Sequence, residues 1–152
     1  MADLLDTYRG TVYPWQCDHM DHMNVMWYVG KFDEATWCFL SHLGLTPAYL
    51  RTAGRGMAAV DQRISYQREL QAGDVVTVRS GAVEVGERKM RFFHEMRDAV
   101  TDEVAAVTLL TAVYLDTTAR KSTTLPEAVI ARARERIVDY RLPWPITPGA
   151  ST

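Results

Sequence analysis

The chain has 152 residues, 47% hydrophobic and 24% charged, with a formal net charge of -2, which suits one globular domain over residues 1–152 and gives no general footprint for nucleic acid or an anionic membrane. Residues 1–16 carry Asp3, Asp6 and Arg9 without an apolar run of signal-peptide length, and nothing approaches the roughly 18 apolar residues that span a bilayer. The two cysteines, Cys17 and Cys38, are too few for a disulfide framework, so a cytoplasmic location is the default expectation.

In chain order, Thr7 to Trp15 reads as a first strand centred on Thr11, Val12 and Tyr13. Gln16 to Trp27 is crowded with His, Asp, Asn and Met, shows no period, and is placed as a loop. From Tyr28 the residues Val29, Phe32, Ala35, Phe39 and Leu43 recur at helical spacing. Trp37 and Cys38 widen that apolar face, which predicts a mostly buried helix ending at Gly44. Thr46-Pro47 has the form of a cap and first residue for a short helix through Leu50.

After Gly54 and Gly56 the period becomes two, with Val60, Ile64 and Tyr66 on one face and Asp61, Arg63, Ser65 and Gln67 on the other. Ala72-Gly73-Asp74 turns into a strand from Val75, with a bulge expected at Gly81. Gly86-Glu87 turns again, and Met90, Phe92, His94 and Met96 alternate with Arg91, Phe93, Glu95 and Arg97. Asp98 to Glu103 leads into Val104 to Leu115, apolar enough to be covered on both faces. Pro126 to Ile137 reads as a terminal helix, and the Pro-rich tail over 143–152 as loosely held.

Short turns favour antiparallel neighbours, and the strands run to about ten residues each, beyond the usual five or six. A long curved antiparallel sheet around one apolar helix, an α+β architecture, buries both. One sheet layer around a helix leaves its outer face or its edges in need of cover, which predicts a homodimer or homotetramer.

The segment Trp15 to Tyr28 carries the chemistry. Asp18, His19, Asp21, His22 and Asn24 stand within seven residues, just before a buried helix. A helix N-terminus offers unpaired backbone N–H groups and positive potential, and a nearby carboxylate acts as base or nucleophile on a carbonyl or thioester. Competing readings are structural: Asp18 or Asp21 capping a turn, His22 and Asn24 as buried, satisfied groups. Asp18, His19, Asp21 and His22 are all metal-ligand types, but no motif of recognised spacing completes a site, so neither metal nor cofactor is expected.

Asp18 to Ala35 resembles the signature of the 4-hydroxybenzoyl-CoA thioesterase family, a branch of the hot-dog fold. Asp18 matches the second Asp of that signature, His22-Met23-Asn24 its His-Val-Asn part, Tyr28 its Tyr, and Phe32-Asp33-Glu34-Ala35 its helix run. The order of elements agrees over residues 7 to 120. Gln16 replaces the first Asp, Val25 replaces the second Asn, and Asp21 stands where the family has Gly; Asp tolerates positive φ, so the turn survives.

The resemblance implies a hot-dog fold and a single hydrolytic domain acting on acyl-CoA. It gives Asp18 the attack on the thioester, directly or through water, and gives the Val25 and Met26 amides the developing oxyanion. His22, Asn24, Trp27 and Tyr28 are expected to shape the loop or touch the acyl group. Arg88-Lys89, with Arg120-Lys121 behind them, are the expected contacts for CoA phosphates, a solvated charge cluster being the plain alternative. His94, alone on an apolar face, is more often structural. Trp15, Trp27 and Tyr28 line a pocket or cage a quaternary ammonium. Similarity to the thioesterase portions linked to carnitine breakdown makes a betaine-like acyl group an alternative. The rival functions are an acyl-CoA hydratase and a non-catalytic acyl-CoA-binding module.

Overall fold

The computed structural model describes residues 3–146. One antiparallel sheet runs in the order β1-β3-β4-β5-β2: β1 is Leu5–Thr11, β2 Arg55–Tyr66, β3 Val75–Val85, β4 Lys89–Asp98 and β5 Val104–Asp116. The two-residue β6, Lys121–Ser122, pairs with the end of β5. Helix α1, Val25–His42, lies against one face of the sheet. A short α2, Pro47–Ala53, leads into β2, and α3, Glu127–Arg134, follows β6. This is the curled sheet around a helix expected from the periodicities.

Several boundaries differ for local reasons. The first strand starts at Leu5 and stops at Thr11, because Pro14 opens a single 3-10 turn, Pro14–Gln16. α1 begins three residues early, at Val25, because Asn24 caps it: its backbone is extended and its Oδ1 accepts from the Met26 amide at 2.9 Å. α2 runs on to Ala53 and is stopped by Gly54 in the left-handed conformation. The register shift in β3 falls between Ala82 and Glu84 rather than at Gly81. Residues 147–152 of the expected loose tail lie outside the described residues.

The core has two apolar halves. Phe39, Leu40 and Leu43 pack with Met90, Phe92 and Leu110 in one; Phe32 and Ala35 pack with Val76, Val78 and Met96 in the other. The alternation read for β4 therefore holds on the helix side. β5 is buried along most of its length, as its sequence implied. Contrary to expectation, the apolar face of α1 is not closed: Trp37 is 39% exposed and Cys38 is exposed. They sit on the side of α1 that faces away from the sheet within one chain.

Between the two halves runs a polar layer. His94 Nδ1 meets Ser80 Oγ at 2.5 Å and Nε2 meets Thr36 Oγ1 at 2.9 Å. Ser80 in turn meets Thr7 Oγ1 at 2.7 Å. His94 is fully buried, and burial lowers its pKa to about 3, so it is neutral at physiological pH. It is a structural pin between sheet and helix.

Candidate active site

The loop before α1 is held from both sides. Cys17 and Met23 form an isolated antiparallel bridge, and the Met23 amide donates to Leu70 O at 2.6 Å. The Asn24 amide donates to Gln16 O at 2.9 Å. At the tip, the Asp18 amide donates to His22 O at 3.2 Å and the Asp21 amide to Asp18 O at 3.0 Å. This tight reversal requires positive φ at Asp21, which adopts 62°. A short polar side chain is among the few besides Gly that accept that conformation, so the Gly-to-Asp departure is accommodated.

That loop sets the Asp18 carboxylate beside the start of α1. Asn24 Nδ2 donates to its Oδ2 at 2.8 Å and the Met20 amide to its Oδ1 at 2.9 Å. The Asn24 bond, then the Met20 bond, hold the carboxyl below its ordinary pKa; the charges of His22 and His19 add smaller contributions in the same direction. Asp18 is thus an oriented, ionised carboxylate on a half-exposed loop. Asn24 does two jobs with one amide group: its nitrogen steadies Asp18 while its oxygen caps α1.

The expected amide pair narrows to one. The Met26 N–H is taken by the Asn24 cap, which corrects its assignment to the oxyanion. Val25, at the first helical position, has an amide with no acceptor one turn back in the helix. Beside it opens a groove of about 250 Å³ between the helix start and the end of β2, with His22, Val25, Tyr28, Tyr66, Arg68 and Glu69 on its walls.

The remaining expected residues divide. His22 faces the groove, its Nε2 3.6 Å from Glu69 Oε1. Tyr28 is a buried anchor: its hydroxyl donates to Arg68 O at 3.0 Å, and burial pushes its pKa up to about 12. Trp27 packs against the apolar cluster around Phe32, Trp15 stacks on Tyr13 at 4.5 Å, and Tyr28 meets Tyr66 edge-on at 5.2 Å. Of the three rings expected to cage a cation, Tyr28 lines the groove, while Trp27 and Trp15 pack elsewhere. Arg88 and Lys89 stand at the far end of the sheet: β3 starts beside the loop at Val75 and reaches Val85 before the turn that carries them. Ten steps at about 3.3 Å each make that separation roughly 30 Å, so one chain does not bring them to Asp18. Arg68 is the cation on the groove itself, and it was missed because it lies after β2 in an unremarkable polar stretch. Its partner Glu103, 2.9 Å away, is also exposed, and such a pair is weak enough to exchange. Among the described residues no group of three or more His, Cys, Asp or Glu is placed to hold a metal ion. No helix among them is long and apolar enough to cross a membrane.

Comparison with known proteins bears on the fold and the superfamily. The chain is similar to two proteins named L-carnitine dehydrogenase/betainyl-CoA thioesterase. Identity is 26% over 113 residues with that of Agrobacterium fabrum (74% of this chain, 23% of the other). It is 25% over 117 residues with that of Rhizobium meliloti (77% and 23%). The chain thus spans about a quarter of the length of these relatives. Among solved structures, a Staphylococcus aureus protein in complex with CoA superposes with a TM-score of 0.84 at 21% identity, over 94% of this chain and 91% of the other. A 1,4-dihydroxy-2-naphthoyl-CoA thioesterase from Synechocystis does so at 0.76 and 17% identity, over 87% and 96%. These likenesses place the fold. The model of the thioesterase-like superfamily matches residues 12–133, from the end of β1 through nearly all of α3, and the chain belongs to that superfamily.

Proposed function

We propose that this protein hydrolyses an acyl-CoA thioester to the free acid and CoA, with Asp18 as the catalytic carboxylate. The observation that carries the reading is the oriented, ionised Asp18 beside the uncapped Val25 amide at the start of α1. The carboxylate attacks the thioester carbon, or takes a proton from the water that does. The electron pair displaced onto the carbonyl oxygen is met by the Val25 amide and the positive end of α1. The C–S bond then breaks and the thiolate of CoA leaves. On the water route it takes the proton that Asp18 accepted. On the direct route water hydrolyses the acyl–Asp18 anhydride, which releases the free acid, restores the carboxylate and supplies the proton. His22 shapes the wall of the groove, Asn24 orients the nucleophilic group, and Arg68 meets the phosphates of CoA.

Asp18→Asn keeps one carbonyl oxygen, which accepts from the Met20 amide or from Asn24 Nδ2 but not from both, and removes the negative charge. We expect it to fold normally and to lose nearly all thiol release, read with a thiol reagent. Normal turnover by the folded variant would refute the assignment. Release of free thiol also separates hydrolysis from hydration, and saturable binding without release marks a binding module.

The acyl group belongs to the same proposal. Both curated relatives carry betainyl-CoA thioesterase in their names, which makes a betaine-like acyl group the first to test, with an aryl group of the 4-hydroxybenzoyl kind second. A screen over betainyl, aryl, short-chain and long-chain CoA esters ranks them by kcat/KM. The protein acts as a homo-oligomer in the cytoplasm. Strand β2 is twelve residues long, ends the sheet, and has no fully buried residue, which is the form of an edge awaiting a second copy.

A further inference from the structure

The sheet face turned away from α1 is covered by the chain's own C-terminal segment. Register sets Gly81 of β3 beside Phe93 of β4, Phe93 beside Leu109 of β5, and Leu109 beside Arg63 of β2. These four residues form one row across the outer face. The segment after α3 follows that row. The Ala82 amide donates to Arg136 O at 2.8 Å and the Val138 amide to Ala82 O at 3.2 Å, closing a parallel bridge between Ala82 and Ile137.

Val138 then sits over Gly81, where a Cβ would lie 2.8 Å from its Cγ2 and 3.0 Å from Phe93 Cε1; only glycine leaves room there. Tyr140 stacks on Phe93 with ring centres 4.3 Å apart and donates its hydroxyl to Glu95. The Trp144 ring receives the Arg63 guanidinium at 5.3 Å. The fastenings thus fall on β3, β4 and β2, crossing β5 between them. Phe93 and Leu109 are consequently buried within a single chain, at 0% and 3% exposure.

Most of the large exposed apolar side chains lie elsewhere, the exceptions on the C-terminal segment being Ile137 and Ile146. Of the twelve large exposed hydrophobic residues among those described, nine fall on the loop, α1 and β2: Tyr13, Trp15, Met20, Val25, Met26, Val29, Trp37, Val60 and Tyr66. None belongs to β3, β4 or β5. Two sheets packed back to back interdigitate side chains across about 10 Å, and here that layer is already filled. We propose that residues 136–144 are a strap that closes the outer sheet face against a second copy of this chain, so that copies meet through the α1 and β2 side and assembly stops at two.

Sedimentation of the full chain tests this. The unaltered protein is expected at twice the 17.2 kDa of one chain over a wide concentration range. Tyr140→Ser combined with Trp144→Ser removes two of the three fastenings and exposes Phe93. It is expected to double in mass again as concentration rises, with far-UV circular dichroism unchanged. Asp139→Lys combined with Arg141→Glu alters only exposed strap residues and is expected to keep the two-copy mass. A folded Tyr140→Ser/Trp144→Ser protein that stays at two copies overturns the proposal. So does an unaltered protein of one or of four copies, or a charge-reversed strap that lowers the mass. Should the double serine variant fail to fold, the unaltered and charge-reversed proteins still decide the matter, because neither disturbs the fastenings.

Discussion

Asn24 couples two functions that are usually separate, the start of a helix and the state of a carboxylate. Asn24→Ala removes the cap, at a cost of about 0.5–2 kcal/mol. It also removes the largest contribution holding the Asp18 carboxyl below its ordinary pKa. A group that loses a stabilising partner for its charged form has a higher pKa. The acid limb of the kcat/KM profile should therefore move to higher pH in Asn24→Ala, while the unaltered protein keeps activity down into the ordinary carboxylate range. An unmoved acid limb would mean that Asp18 is not the group titrating.

His94 tests the polar layer. Five contacts link Phe32 O, Thr36, His94, Ser80, Thr7 and Val78 O. Three hydroxyls and one ring N–H supply four hydrogens for them when the imidazole is neutral. Protonation would supply the fifth, but the hydrogen-bonded partners include no carboxylate to balance the charge, and burial prevails. In the unfolded chain His94 returns to the ordinary imidazole value of 6.5, against about 3 when folded. Between those values the unfolded state binds the extra proton, so stability falls as pH falls, by at most about 1.4 kcal/mol per pH unit from this group. His94→Gln should be less stable at pH 7 yet lose less on acidification from 6.5 towards 4, measured by denaturant unfolding. Parallel curves for the two proteins would contradict the assigned burial effect.

At the scale of elements, β2 and α1 were legible in period and not in environment. The alternation in β2 marks a two-faced strand correctly, yet no residue of it is fully buried, because it ends the sheet. The pattern records which faces a strand has, not which neighbours it lacks. Trp37 and Cys38 were read as core for the same reason: apolar character signals burial without saying whether sheet or second chain supplies it. Val60 stands out of register with β5 and is 61% exposed. Val60→Lys puts a charge at the middle of the edge and should shift the oligomer towards single copies in sedimentation, with little change in the unfolding of each chain.

At the scale of the whole molecule, the groove depends on bringing the end of β2 to the start of α1, about forty residues apart in sequence. That closure puts Arg68 on the wall beside Val25. Arg68→Ala is expected to raise KM for acyl-CoA several-fold, with kcat little changed, and to leave KM for a phosphate-free acyl thioester as it was. Equal effects on both substrates would point to a change in groove shape instead of a lost phosphate contact. Arg88 and Lys89 were attractive in sequence as adjacent cations after a turn, but nothing local records that this turn lies at the opposite end of a long sheet.

The amino-acid sequence by itself determined most of the elements, their antiparallel arrangement, the thioesterase-like superfamily though not its 4-hydroxybenzoyl-CoA branch, and Asp18 within a loop feeding a helix, because these follow from spacing, caps and turn residues acting over a few positions. The positive φ at Asp21 belongs with them. Only the tertiary structure decided that Met26 is occupied and Val25 is not, that Tyr28 is an anchor, and that His94 pins sheet to helix. It also placed the cations and laid residues 136–144 over the outer face. Those outcomes depend on which surfaces meet across long separations in the chain, and a contact of that kind leaves no period in the residues that make it.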